Sequence, residues 1–201
     1  TETIMDAMPD GFLGSRVDEL DYGVWPVNAR LLAPFKGCLF AAGVQASSVQ
    51  FSAVGQPEVF PPDNILNIPD AHLGPVTAMY PTRNAIVVFK AHGVYLVKGD
   101  PVNGFYAEPL TREPGCVAPN TVREVPGTGL VFLAESGLWA LQGTLENEGV
   151  PTGVINVSTP IPDSIRRFNR TALINACGAI YHRDREYWLC VPTIGTADND
   201  H

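Results

Sequence analysis

The residues of this sequence that could do chemistry are scattered, and few stand at spacings that a reaction needs. Ser136 lies in the run Ala134–Leu138, which lacks the first glycine of a nucleophile elbow and is predicted to be a hairpin turn. Cys177, His182 and Cys190 could approach one another and bind zinc. Their spacing matches no ordinary zinc pattern, however, and a fourth ligand is missing. The sequence therefore predicts neither a serine hydrolase nor a zinc protein.

The acidic residues give no catalytic pair either. Asp184 and Glu186 stand beside a turn among arginines, where solvated ion pairs are expected rather than an acid and a base. The run Asp198–Asp200 resembles part of a calcium loop but lacks its glycine and its distal glutamate. No glycine-rich loop follows a strand and opens a helix, as a phosphate site requires. We therefore expect a non-enzymatic protein with no cofactor, no metal and no catalytic residue.

One group of basic residues could form an interface. Five of the 13 basic residues fall within 20 positions, and this group either contacts an anionic partner or forms a solvated edge with Asp163, Asp184 and Glu186. Tyr187 and Trp188 are adjacent in a predicted strand and must point to opposite faces, so one is expected to be exposed or at an interface. The candidate interface residues are Arg166, Arg167, Arg170, Arg183, Arg185 and Trp188.

Composition narrows the class of protein further. The chain has 201 residues, a net charge of −8 and a pI near 4.9, which argues against broad affinity for nucleic acid. The longest purely apolar run, 85–89, is too short to span a membrane. The four cysteines could form two disulfides, but each lies beside apolar or small residues, and we expect buried thiols in a reducing compartment.

The elements that must position these residues are arranged as a repeat. The hairpin of 85–89 and 93–99 recurs as 129–133 and 137–143, with Gly93, Tyr95 and Gly99 matching Gly137, Trp139 and Gly143 at an offset of 44. Each unit is an apolar strand, a three-residue turn that ends in glycine, and a second strand. We expect these glycines to supply a positive φ.

Weaker copies of the hairpin lie on either side, at 37–53 and 178–191, and extended segments surround all four. A strand is predicted before each hairpin and another after three of them, which gives about four strands in every 44–48 residues. The predicted segments are Leu31–Phe35, Val76–Tyr80, Thr121–Val125, Ala172–Ala176, Ile65–Ile68, Phe105–Leu110 and Val154–Val157.

Four antiparallel strands at this period are typical of a β-propeller blade. We therefore predict an all-β, propeller-like fold of about four such blades, as a complete or a partial propeller. The alternative is a two-sheet β-sandwich. One short helix is predicted at Pro160–Phe168, capped by Thr159. Residues 1–28 are predicted to be an extended acidic lead-in, 29–195 the repeat domain, and 196–201 a truncated or disordered tail.

Several runs resemble tail proteins of double-stranded DNA bacteriophages, of the tail nozzle, tubular or hub type that carries a propeller domain. The resemblance covers roughly residues 10–193. It rests on Arg30–Ala42, Phe51–Phe60, Gly74–Thr77, Val87–Asp100, Gly115–Asn120 and Tyr181–Pro192.

The resemblance implies a structural protein of the virion tail that assembles in several copies around the DNA exit channel for genome delivery. Its implied partners are other tail proteins (an adaptor, hub or fibre), further copies of itself, and DNA that passes without sequence-specific binding. It implies assembly in the host cytoplasm. The alternatives are a propeller that binds or hydrolyses surface glycans, and a scaffold that binds a peptide.

Overall fold

The computed structural model describes residues 23, 25–26, 28–43, 47–143 and 150–195, which form four antiparallel sheets. The first sheet contains β1 (Ala29–Phe35), β2 (Cys38–Gly43), β3 (Ser48–Phe51) and β4 (Ile65–Asn67). The second contains β5 (Val76–Pro81), β6 (Ile86–Lys90), β7 (Val94–Asp100) and β8 (Gly104–Thr111). The third contains β9 (Arg123–Val125), β10 (Gly129–Ala134), β11 (Gly137–Gln142) and β12 (Gly153–Asn156). The fourth contains β13 (Cys177–Tyr181) and β14 (Glu186–Cys190).

The helical segments are short. They are 3₁₀ turns at Ala71–Leu73, Pro119–Thr121 and Arg170–Asn175, and the α-helix α1 at Pro162–Arg166. Within the described part of the chain, the helices are neither long enough nor apolar enough to cross a membrane. The predicted tail at 196–201 and most of the predicted lead-in lie outside the described residues.

Each sheet is a meander, because its strands are hydrogen-bonded to one another in chain order. Residues that are 44 positions apart in the sequence occupy equivalent register positions in the second and third sheets. Val88 faces Tyr95 across the β6–β7 hairpin, and Phe132 faces Trp139 across the β10–β11 hairpin. The all-β prediction and the predicted strand pattern of three successive copies are thus confirmed.

The sheets stack on one another through apolar layers. Phe40 of the first sheet and Val88 and Tyr95 of the second are buried in one layer. Val87 and Phe89 point from the other face of β6 into the next layer, which they share with Leu130 and Phe132 of the third sheet. Since β6 is covered on both faces, all five of its residues are buried. This succession of shared layers excludes the two-sheet sandwich.

The prediction of a first strand at Ala172–Ala176 is wrong. This segment overlaps the 3₁₀ turn at Arg170–Asn175, in which Leu173 and Ala176 bury their side chains three residues apart, the period of that helix. The fourth sheet therefore begins at β13, which contacts β9 of the third sheet. It has two strands in the described residues where three were predicted.

The predicted helix at Pro160–Phe168 is also shorter than expected. α1 begins at Pro162, and Ile161 precedes it without a side-chain cap. Thr159 does not cap the helix, because its hydroxyl donates to the carbonyl of Asn156 at 3.3 Å. The sequence pattern assigned Thr159 to the helix cap, but in the structure its hydroxyl closes the turn that precedes the helix.

The two matching turn glycines differ in their roles. Gly137 has a φ of +128°, as predicted, and follows a turn of two residues rather than three. Gly93 is not at positive φ. A Cβ added to Gly93 would lie 2.9 Å from Cδ1 of Leu73 and 3.1 Å from the carbonyl oxygen of Thr111. Gly93 is thus required by close packing.

Candidate functional site

The first strands of all four sheets line one cavity of about 550 Å³, which we call the central cavity. Leu31 of β1, Tyr80 of β5, Glu124 of β9 and Ile180 of β13 all contribute to its wall. The central cavity is therefore the place where the first strands of the four sheets meet. The sequence pattern predicted the sheets but did not single out these residues.

The wall of the central cavity is polar on one side. The hydroxyl of Tyr80 donates to Oε2 of Glu124 at 3.1 Å. Burial, and then the Glu124 carboxylate, raise the pKa of Tyr80 above its ordinary value. Arg123 and His182 also line the cavity, and Nη1 of Arg123 donates to the carbonyl of Val122 at 2.7 Å. The positive charge of the Arg123 guanidinium is balanced by the negative charge of the Glu124 carboxylate. This wall therefore has no excess of positive charge that could bind a phosphate backbone.

Tyr80 and Glu124 stand 44 residues apart, at equivalent positions of consecutive sheets. The repeat offset could have revealed this pair, because the first strands of the sheets line the same cavity and bring equivalent positions together. The missing information was which strand of each repeat lines that cavity.

Three of the predicted interface arginines lie around α1 and the 3₁₀ turn that follows it. Arg166 is 3.2 Å from Asp163, its partner one helical turn away, and both side chains are exposed. The carbonyl of Arg167 accepts the backbone N–H of Ile194 at 2.8 Å. Arg170 donates to the carbonyl of Glu135 at 3.2 Å, which ties this segment to the β10–β11 turn.

Arg183 and Arg185 occupy the β13–β14 turn, at the other end of β14. Arg183 lies 4.0 Å from Asp184, with both side chains exposed, and Arg185 has a φ of +57°. Arg167 contacts the chain just beyond the last residue of β14, and a five-residue strand is roughly 13 Å long. The structure thus places the five predicted arginines in two separate groups. Exposed ion pairs such as these contribute at most about 1 kcal/mol each.

Trp188, the remaining predicted interface residue, projects from the outward face of the fourth sheet with 59% of its surface exposed. Tyr187 points the opposite way, and its hydroxyl donates to the carbonyl of Thr121 at 2.7 Å. Burial raises the pKa of Tyr187. The prediction that these neighbours face opposite sides is confirmed.

We call the outward side of the fourth sheet the end face. It consists of Cys177, Ala179, Tyr181, Glu186, Trp188 and Cys190. The ring centroids of Tyr181 and Trp188 are 5.8 Å apart, and the indole N–H of Trp188 donates to Glu186 at 2.8 Å. The end face is therefore an aromatic surface bordered by one carboxylate.

The predicted zinc candidates are divided by the fold. Cys177 and Cys190 face each other at one end of the β13–β14 ladder, whereas His182 follows the other end and lines the central cavity. In the part of the chain that the structure describes, no three His, Cys, Asp or Glu side chains are grouped to hold a metal. The prediction of buried cysteines holds for Cys38 and Cys116, but Cys177 is exposed and Cys190 is half-buried.

A second concave site lies between the turns of the second and third sheets. This turn cleft has a volume of about 380 Å³ and is lined by Trp139, His92, Glu113, Glu135 and Ser136, among others. The indole N–H of Trp139 donates to the hydroxyl of Ser136 at 3.0 Å. Ser136 is thus an exposed turn residue, as its sequence context predicted.

No pattern in the sequence predicted the buried polar network that lies where the chain passes from the first sheet to the second. Lys90 is fully buried, and its ammonium donates to the carbonyls of Pro69 and Asp70 at 2.9 Å each. The hydroxyl of Tyr95 donates to the carboxylate of Asp70. Burial, and then this carboxylate, raise the pKa of Tyr95 to about 12. These hydrogen bonds tie the segment before β5 to β6 and β7, so the network holds the chain in place.

Comparison with known proteins identifies no relative: no family model matches the chain, and no curated protein matches it. The resemblance to bacteriophage tail proteins therefore remains an expectation from the residue runs given above.

Proposed function

We propose that this protein is a non-enzymatic structural component of a bacteriophage tail, which assembles in several copies around the channel through which DNA leaves. Its place is the virion, and it is assembled in the host cytoplasm. Its partners are further copies of the same chain and neighbouring tail proteins. The tail assignment comes from the sequence resemblance, and the assembly role is supported by the architecture of the sheets.

The observation that carries the assembly role is the incomplete fourth sheet. The first three sheets have four strands each, whereas in the described residues β14 pairs with β13 alone. The outer edge of β14 therefore presents backbone N–H and C=O groups that another strand can bind. Such edges recruit other chains, and among the described residues this one belongs to the last sheet of the stack.

The end face supports the same role. Trp188 is 59% exposed and Tyr181 is 41% exposed, and the two rings lie side by side. The inner sheets cover each other's faces, whereas among the described residues this face has no such cover. Tryptophan and tyrosine are enriched at protein interfaces, where they contribute much of the binding energy. We therefore place a neighbouring subunit on the end face and on the edge of β14.

The charge of the molecule suits passage of DNA without retention. The net charge is −8, and the wall of the central cavity contains both Arg123 and Glu124, whose charges have opposite signs. A conduit built from such surfaces lacks the cationic excess that holds phosphates at physiological salt. Closure of the sheets into a ring, by the neighbouring subunit or by another part of the tail, is part of this proposal.

Sedimentation of the purified chain over a range of concentrations tests the assembly role. We expect a concentration-dependent oligomer, and we expect Trp188→Glu to weaken it at least about tenfold, because a charge would be buried at the interface. Val102→Glu is the matched control, since Val102 is 91% exposed at the β7–β8 turn, away from the end face. A wild-type chain that stays monomeric, or equal weakening by both variants, would contradict the proposal.

The turn cleft favours a second candidate, binding of a surface glycan. It places Trp139 beside Glu113, Glu135 and His92, an aromatic platform with polar groups of the kind that bind a sugar ring. Binding to a glycan array that Trp139→Ala abolishes and Trp188→Glu does not would support this candidate. If the wild-type chain binds no glycan, it is rejected.

A further inference from the structure

Two cysteine side chains meet on the end face. Cys177 and Cys190 are direct partners in the antiparallel β13–β14 ladder, at the end farthest from the turn. Directly opposed residues of such a ladder point to the same side of the sheet, so both thiols lie on the outward face. Cys177 is exposed and Cys190 is half-buried, so reagents in solution can reach the pair.

The spacing of the two residues suits a covalent bond. Opposed Cα atoms of antiparallel strands lie roughly 4.5–5.5 Å apart, and disulfides join Cα atoms that are roughly 4.4–6.8 Å apart. The other two cysteines lie elsewhere, since Cys38 and Cys116 are buried in the layers between the sheets. Cys177 and Cys190 are therefore the cysteines that the fold positions to react with each other.

We propose that Cys177 and Cys190 form a redox-responsive pair, which closes to a disulfide when the protein meets a small-molecule disulfide such as oxidised glutathione. The bond joins the two strands of the terminal sheet across a loop of 12 residues, 178–189. It would fix the strand whose edge and face are open to a partner. The reaction needs a single chain and does not depend on the assembly proposed above.

The reaction proceeds by two thiol–disulfide exchanges. The thiolate of Cys177, the more exposed residue, attacks one sulfur of oxidised glutathione, forms a mixed disulfide and releases one glutathione thiolate. The thiolate of Cys190 then attacks the sulfur of Cys177 and releases the second glutathione. Two protons leave the cysteines, and two electrons pass from the pair to the small disulfide, which is reduced to two thiols.

Non-reducing peptide mapping of the folded wild-type chain tests the proposal. Trypsin cleaves after Arg170, Arg183 and Arg185, and so separates the peptide with Cys177 from the peptide with Cys190. After incubation with oxidised glutathione we expect these two peptides to be linked, with a mass two hydrogen atoms below their sum. We expect Cys38 and Cys116 to remain unmodified. A stable glutathione adduct on Cys177 without a link, or a link to Cys38 or Cys116, would overturn the proposal.

Two variants test whether the disulfide forms because the strand register places the two thiols together, or only because Cys177 is reactive. In Cys190→Ser, the reaction should stop at the glutathione adduct of Cys177, because no second thiol can resolve it. In Cys177→Ser combined with Ala179→Cys, the new thiol lies diagonal to Cys190, roughly 7–8 Å away between Cα atoms, beyond the usual reach of a disulfide. We expect at least a tenfold slower link there than in the wild type. Equal rates would show that register does not direct the reaction and would contradict the proposal.

Discussion

Lys90 and Asp70 show how single residues tie the segment between the first two sheets to the second sheet. Lys90 closes the end of β6, and its ammonium reaches the carbonyls that precede the second sheet. A buried ammonium is costly without acceptors, and the two carbonyls, together with the nearby Asp70 carboxylate, compensate that cost. Burial nevertheless lowers the pKa of Lys90.

Asp70 is the anion of this network, and its charge affects stability in a pH-dependent way. The hydrogen bond from Tyr95, and then the positive charges of Arg112, His72 and Lys90, hold the pKa of Asp70 below its ordinary value. A carboxyl group whose pKa is lowered by folding stabilises the protein above its unfolded pKa. That stabilisation is lost as the pH falls through the folded pKa.

We predict that Asp70→Asn lowers the melting temperature by a few degrees at pH 7, and that the difference narrows below about pH 4. Asparagine suits this test because it tolerates the φ of +58° at this position, so the change removes mainly the charge. Thermal unfolding followed by circular dichroism between pH 7 and pH 3 measures the difference. Asp63→Asn, at an exposed position, serves as the control and should have no effect. A difference that stays constant over this pH range would contradict the role given to the charge.

At the scale of elements, the hairpins of the second and third sheets are copies that use their glycines differently. Gly137 is held at a φ of +128°, and a Cβ there would lie 2.4 Å from Oγ of Ser158. That oxygen accepts the backbone N–H of Leu138 at 3.1 Å. The side chain of Ser158 therefore fills the space that a glycine leaves beside β11.

We predict that Gly137→Ala destabilises the fold by about 1–3 kcal/mol, because it strains the backbone and displaces Ser158. Gly153→Ala is the matched control, since Gly153 has no positive φ and no atom within 4 Å of an added Cβ. The control should change stability by no more than about 0.5 kcal/mol. Urea unfolding of both variants gives the comparison, and similar losses in the two would contradict this role of Gly137.

The contrast between Gly93 and Gly137 marks how far the sequence could predict the elements. The offset of 44 predicted both hairpins and the equivalence of Tyr95 and Trp139, which hold corresponding register positions in the structure because register follows from apolar spacing within each hairpin. It could not distinguish a glycine needed for φ from one needed for packing. Gly93 is fixed by Leu73 and Thr111, which belong to other segments of the chain.

Only those features of the candidate site that depend on a single strand could be predicted from the sequence. Alternation alone predicted that Tyr187 and Trp188 face opposite sides of the sheet, as the structure has them. The division of the five arginines into two groups depends on which way β14 runs relative to α1, and local patterns do not contain that direction. The Lys90 network was not predictable either, because Asp70 and Lys90 are 20 residues apart and meet only when the segment before β5 folds onto the second sheet.

At the scale of the whole molecule, each sheet completes its burial through its neighbour. Tyr95 faces the first sheet and Trp139 faces the second, so equivalent residues occupy equivalent layers. Among the described residues, the last sheet breaks this succession, because it has two strands and an aromatic outward face. We therefore propose that this face is the place of a neighbouring subunit in an assembly.

Electron cryomicroscopy of the purified full chain tests this assignment most directly. The account predicts closed rings of several copies around an open axis, with density from a neighbouring copy or tail protein against Trp188 and the edge of β14. Particles that are single chains at every concentration and with every candidate tail partner, with Trp188 facing solvent, would contradict it.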